Sequence, residues 1–121
     1  MENKSLKLIK EINSKIGISE NILSEIKLPT QEEESNLVFV DVGFLKVNQF
    51  LEERTAAAWL NMKSEALKDK VELTLVSGYR SYYEQAFFLL ERINQGTTPQ
   101  VLVKSVAPVG ISEHHTGTAI D

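Results

Sequence analysis

The last ten residues of the sequence read Ser112-Glu113-His114-His115-Thr116-Gly117-Thr118-Ala119-Ile120-Asp121. They hold both histidines of the 121-residue chain and end on a carboxylate. A neutral imidazole nitrogen and a carboxylate oxygen are both good zinc ligands. His114 and Asp121 do not have the i, i+4 spacing of a helical pair, so sharing an ion requires the chain to bend back. Gly117 can supply that bend, because glycine enters left-handed backbone conformations without a Cβ clash. Thr118-Ala119-Ile120 is then expected to lead into a strand, with the small Ala119 permitting close packing beside a metal. Adjacent side chains of extended chain point to opposite faces. His115 is therefore expected to line the cleft or face solvent rather than grip the same ion. Spacing alone leaves a plainer alternative open, that of polar residues in an exposed loop.

Upstream, Val71-Glu72-Leu73-Thr74-Leu75-Val76 alternates like a half-buried strand and runs into a turn, Ser77-Gly78-Tyr79-Arg80-Ser81. Tyr83, Ala86, Phe87, Leu90 and Ile93 recur at helical spacing to about Gln95, where Gly96 closes the helix. Thr98-Pro99 starts a short helix to about Ser105, and Ala107-Pro108-Val109-Gly110 is a loop. Leu37–Val42 is a β-branched strand signal ended by Gly43. Residues 45–69 read as one long helix with Phe50, Leu51, Ala57, Ala58, Leu60, Ala66 and Leu67 on its apolar side. Leu6, Ile9, Ile12 and Ile16, then Ile22, Leu23 and Ile26, mark a helical arm broken at Gly17, with Ser19 as a cap. Its greasy face is expected to pack on the domain or on a second copy. The polar run from Pro29 to Asn36 is a linker. The organisation is thus an arm and acidic linker over 1–36 and a main unit over 37–121. Mixed strands and helices imply an α+β class, with fewer strands than such a fold needs.

Composition removes several functions. A formal net charge of −4 without a basic stripe argues against nucleic acid as a partner. The chain has no cysteine, which excludes a disulfide framework, a zinc finger and a thiol nucleophile. Any metal must be held by His, Asp or Glu. The N-terminus has no continuous apolar segment of the secretory kind, and no run approaches the length of a membrane span. The expected location is the cytoplasm, with action at the cell envelope if the product is exported or released by lysis.

The pattern Ser112-x-His114-x-x-Gly117-x-Ala119-x-Asp121 is similar to the SxHxxGxAxD signature of VanY-type D-alanyl-D-alanine carboxypeptidases. These are zinc peptidases of the LAS group with the Hedgehog/DD-peptidase fold. Ser77-Gly78-Tyr79-Arg80-Ser81 with Gln85 resembles that family's SGYRS...Q segment, and Ala107-Pro108-x-Gly110-x-Ser112-Glu113-His114 fits its usual approach to the metal. The likeness covers about residues 37–121. It implies zinc as cofactor, a peptidoglycan stem peptide or D-Ala-D-Ala peptide as partner, and a Hedgehog/DD-peptidase-like α+β fold incomplete at its C-terminus. By the resemblance, His114 and Asp121 match the first two zinc ligands, and Arg80 matches an arginine that holds the peptide through a carboxylate or carbonyl. A guanidinium is a permanently charged fork suited to that task, although on sequence alone Arg80 reads more readily as a surface or structural ion-pair residue. Ser112 matches a serine that orients the loop or bonds substrate. Gln85 matches a polar residue near the cleft, or a brace for the Arg80 turn. Tyr79 is expected to pack rather than catalyse.

The sequence also departs from the family. A third zinc-ligating histidine and a catalytic glutamate belong to a later Glu-x-x-His-type motif, and neither is present here. No general base is identifiable, so one is expected beyond Asp121. A hydrolytic zinc site has three protein ligands and a water. Loss of one ligand is expected to cost on the order of 3 kcal/mol of the ~10–16 kcal/mol of a complete site. This chain by itself is therefore expected to bind zinc weakly and hydrolyse little, being truncated, part of a longer enzyme, or completed by a second chain. An uncovered sheet edge or apolar face would favour self-association as a homo-oligomer. The competing readings are a non-catalytic remnant that binds cell-wall peptides or a protein partner, and a dimer formed through residues 1–27.

Overall fold

The computed structural model describes residues 3–121, in which α-helices pack together beside a β-hairpin. In chain order the elements are α1 (Asn3–Lys15), α2 (Glu20–Ser24), β1 (Leu37–Val42), β2 (Asn48–Glu52), α3 (Glu53–Lys68), α4 (Tyr82–Asn94) and α5 (Pro99–Leu102). A 3-10 turn, Glu113–Thr116, follows. The mixture is the α+β class expected from the sequence.

The arm packs against the domain. Ile9 and Ile12 of α1 enter a core with Ile18, Tyr82, Ala86, Leu89, Leu102 and Val109. Fully burying side chains of this size contributes about 1.5–3 kcal/mol each, which is what holds α1 against α4. Serines and their partners set the helix starts. Ser19 Oγ accepts from Ile22 N at α2. Ser81 and Glu84 form a reciprocal capping box at α4, satisfying two donors that the first turn leaves free.

The single helix expected over 45–69 is wrong in its first third. Residues 48–52 are a strand, and β1 pairs with β2 antiparallel with Phe39 opposite Phe50 and Val38 opposite Leu51. The register slips between Phe39 and Asp41, a β-bulge that inserts one residue. Phe39 and Phe50 meet edge to face at 5.9 Å between ring centroids. Leu51 becomes fully buried with Ala56, Trp59 and Leu75. Cross-strand pairing and that burial override helical spacing, which was equally compatible with the same residues. Glu52 ends the strand and starts α3, its carboxylate accepting from Arg54 N and Thr55 N. Those backbone N–H groups hold its acid below the usual carboxylate range. The buried side of α3 is Ala56 and Trp59, while Leu60 and Leu67 are exposed.

The strand expected over 71–76 does not form as a regular ladder. The stretch 75–80 is instead bonded irregularly on two sides. Toward the hairpin, Phe44 N donates to Leu75 O, Tyr79 N to Phe50 O, and Gly78 N to Gln49 Oε1. Toward the C-terminal segment, Val76 N donates to Asp121 O and Arg80 N to His114 O. This stretch is the seam between the helical core and the hairpin.

Candidate active site

The bend expected at Gly117 is present. Gly117 has φ +71 and caps the 3-10 turn in the left-handed region. A Cβ there would stand 2.9 Å from Glu52 N, whose N–H donates to Gly117 O at 2.9 Å. Glycine is thus required both by conformation and by close approach. Ser112 Oγ accepts from His114 N and starts the turn. Thr118–Ile120 forms no strand, contrary to expectation. Asp121 is anchored by its backbone, with Asp121 N donating to Ser77 O at 2.9 Å and Asp121 O accepting from Val76 N at 2.7 Å.

The two candidate ligands converge. His114 Nε2 lies 3.2 Å from Asp121 Oδ2. The other ring nitrogen, Nδ1, lies 2.7 Å from Gly78 O. A carbonyl only accepts, so Nδ1–H donates to Gly78 O, which leaves Nε2 as the ring nitrogen turned toward Asp121. This backbone contact to the remote nitrogen is the orienting partner that metal-binding imidazoles ordinarily have.

Arg80 sits beside the pair. Its Nη2 is 3.4 Å from Asp121 Oδ2 and 3.1 Å from Ser77 Oγ, and its Nη1 donates to Gln85 Oε1 at 2.8 Å. The guanidinium also lies 5.5 Å from the Phe88 ring centroid, near enough for a cation–π contact. Burial pulls the Arg80 pKa down from its ordinary value, opposed by Asp121 and Glu84. Gln85 is fully buried and donates through Nε2 to Ala107 O, so it braces the arginine from α4. Ser112 is buried and occupied by the His114 backbone.

His115 neither lines the cleft nor faces solvent; it is fully buried. Gly110 N donates to its Nε2 at 3.0 Å, and its Nδ1–H donates to Arg80 O, 2.7 Å away. Tyr82 meets the ring edge on at 4.8 Å. The error arose because the expectation assumed extended chain. A 3-10 turn sends successive side chains about a third of a turn apart, so His114 points to the groove and His115 into the core. Burial pushes the His115 pKa down, in keeping with a neutral ring whose Nε2 accepts from Gly110 N. Tyr79 packs, its hydroxyl 3.5 Å from Glu33 Oε2 and pushed up to about 12 by burial and by Glu33. Sequence reasoning missed the orienting carbonyl of Gly78 and the bracing hydroxyl of Ser77, although both stand in the segment that drew attention to Arg80.

An open groove runs past these groups. One part, about 510 Å³, is lined by His114, Asp121, Arg80, Gln85 and Ser112. The adjoining part, about 700 Å³, shares Arg80, Phe88 and Asp121 and is otherwise largely apolar, with Leu45, Val47 and Phe87. Among the described residues no three His, Asp or Glu side chains gather as a metal cluster. The donors that do converge, one oriented imidazole and one half-exposed carboxylate, are of the kind zinc takes. They fit two positions of a zinc site.

Helices pack beside a hairpin, with a groove along the seam, and this α+β architecture has a counterpart among solved structures. The solved structure of the LdcB LD-carboxypeptidase, described as revealing the molecular basis of peptidoglycan recognition, matches with a TM-score of 0.62 and 32% identity. The match covers 78% of this chain and 48% of that one. Residues 48–121 match the profile of VanY, D-alanyl-D-alanine carboxypeptidase, and the chain belongs to that family. YodJ of Bacillus subtilis (strain 168), assigned as a carboxypeptidase, is 36% identical over 110 residues, which are 84% of this chain and 40% of YodJ. The chain therefore spans less than half the length of either relative. No helix among the described residues is long and apolar enough to cross a membrane.

Proposed function

We propose that this chain carries part of a zinc carboxypeptidase site that removes a terminal residue from peptidoglycan stem peptides. Family membership supports the reaction class. The observation that carries the site is the oriented His114 ring, its Nε2 turned to Asp121 by the Gly78 carbonyl. His114 and Asp121 would hold zinc, and groups beyond the described residues would complete the ligand set and supply the general base. Zinc, when bound, polarises the scissile carbonyl and lowers the pKa of a bound water.

Arg80 has the second role. Its guanidinium is locked by Ser77 and Gln85 and lies at the junction of the two parts of the groove. A guanidinium already held in place loses little freedom on meeting a peptide carboxylate or carbonyl, toward which its remaining Nη1–H could donate. Asp121 Oδ2 stands between Arg80 and His114, so the anchored end of the peptide lies next to the candidate metal position. Action at the cell envelope would follow export of the protein or its release by lysis.

The test is isothermal titration of the 121-residue chain with zinc, beside release of D-alanine from a stem peptide. The expected result is weak zinc binding, about a hundredfold or more below a complete site, abolished by His114→Ala, with little turnover. Tight one-to-one binding would overturn the proposal that the ligand set is shared with further groups. Zinc binding unaffected by His114→Ala would overturn the assignment of the ligand. A second reading, a non-catalytic peptide-binding remnant, is favoured by the absence of a third donor among the described residues. Peptide binding lost in Arg80→Ala, together with no turnover in any longer form, would select it.

A further inference from the structure

The residues matched by the family profile begin at Asn48, yet a polar network enters the site from the other end of the chain. Asn13 on α1 is fully buried. Its side-chain amide clamps the backbone of Val109, with Nδ2 donating to Val109 O at 2.9 Å and Oδ1 accepting from Val109 N at 3.1 Å. Nδ2 also donates to Ile9 O at 3.0 Å. Both faces of the amide are therefore in use, and neither bond can be replaced by water without opening the core.

The Val109 carbonyl that Asn13 grips and the Gly110 N–H that meets His115 belong to one peptide group. Gly110 N donates to His115 Nε2, and His115 Nδ1–H donates to Arg80 O. Arg80 N in turn donates to His114 O. The linker fastens the same segment from outside, with Gln31 N donating to Gly110 O at 2.6 Å and Glu34 N to His115 O at 2.9 Å. Thus the backbone carrying both His114 and Arg80 is held through His115, and His115 is held through the loop that Asn13 grips.

We propose that Asn13 is a positioning residue: by clamping Val109 it sets the His115 ring, and through that ring the placement of the His114 turn and Arg80. The inference rests on the reading of His114 as a metal ligand only for its functional consequence. The relay itself is independent of any ion. A helix that reads as an accessory arm is then part of the site's scaffold, and removing it disorganises the groove.

The experiment compares Asn13→Leu, which keeps the bulk and loses the bonds, with Ile12→Ala in the 121-residue chain. Ile12 lies one residue away in the same core and makes no polar contact to the loop, so it controls for general loss of stability. Amide hydrogen exchange of Gly110 and Arg80 is read relative to the core amide of Leu89. The two imidazole nitrogen spectra report ring protonation and belong to His114 and His115 alone. In Asn13→Leu, Gly110 and Arg80 are expected to exchange at least about tenfold faster relative to Leu89 than in Ile12→Ala, with the His115 ring losing its Nδ1–H state. Zinc affinity falls about tenfold, the lower end of what losing an orienting partner costs. Equal relative exchange and unchanged ring signals in the two variants would overturn the relay. Faster exchange with unaltered zinc affinity, in a parent that binds zinc, would overturn the positioning role. If the parent binds no zinc, the metal reading fails, and the exchange and ring signals still decide whether Asn13 sets the His115 turn.

Discussion

The helical half and the hairpin half of this molecule are built to different standards. Around α1, α4 and α5 the core is closed, and its buried polar groups, Asn13, Gln85 and His115, have partners. Around β1, β2 and α3 only Leu51, Ala56, Trp59 and Leu75 form the buried cluster. There the indole N–H of Trp59 is buried without an acceptor among the described residues. Phe44 and Leu45 stand 68% and 71% exposed at the hairpin tip. Two strands alone are marginal, and here the hairpin leans on α3 and on the 75–80 seam. The candidate site lies on that seam, with its side chains braced from the helical half. The difference teaches that precision in this groove is supplied by the helices, whereas the hairpin supplies a wall.

The contrast breaks most readily at His115. His115→Ala leaves Gly110 N–H and Arg80 O without partners in a buried place, each costing about 1–3 kcal/mol. A loss of about 4 kcal/mol in urea unfolding is expected, a large fraction of the roughly 5–15 kcal/mol of a typical domain. A loss under 1 kcal/mol would mean that the helical half tolerates unpaired groups as the hairpin half does. Next, Leu89→Ala in the closed core is expected to cost about 3 kcal/mol. Leu67→Ala on the exposed side of α3 should stay within about 0.5 kcal/mol. Similar costs at the two positions would erase the distinction. A small effect is also expected at the hairpin's ion pair, Lys63 Nζ to Asp41 Oδ2 at 2.7 Å. The Lys63 hydrogen bond and charge hold Asp41 below its ordinary value near 3.8. Because the folded value is depressed, the stabilisation is present above that ordinary value and is lost as pH falls through the folded one. Lys63→Met should cost less than about 1 kcal/mol at pH 7. That difference should shrink in high salt and vanish in acid below the folded value. A salt-independent cost would show a better-built hairpin than its exposure suggests.

Legibility followed the same division. Caps and glycines are local devices, so Ser19, Thr98-Pro99 and the bend at Gly117 could be read directly. The convergence of His114 and Asp121 could be posed as a question because one glycine lies between them. Residues 48–52 could not be read correctly. Phe50 and Leu51 suit a helix face and a strand equally, and only pairing with Val38 and Phe39 decides between them. His115 was misread because its direction depends on a 3-10 turn that Ser112 and Gly117 jointly impose.

The sequence by itself determined the chemistry available: one imidazole–carboxylate pair around a glycine bend, one nearby guanidinium, no thiol and no basic face. The tertiary structure alone decided which histidine meets the groove, which carbonyl meets its Nδ1, and that an asparagine on α1 grips the loop at Val109. The reason is physical. Donor type and local turns are properties of neighbouring residues, whereas a buried hydrogen bond between Asn13 and Val109 exists only after distant segments have excluded water from between them.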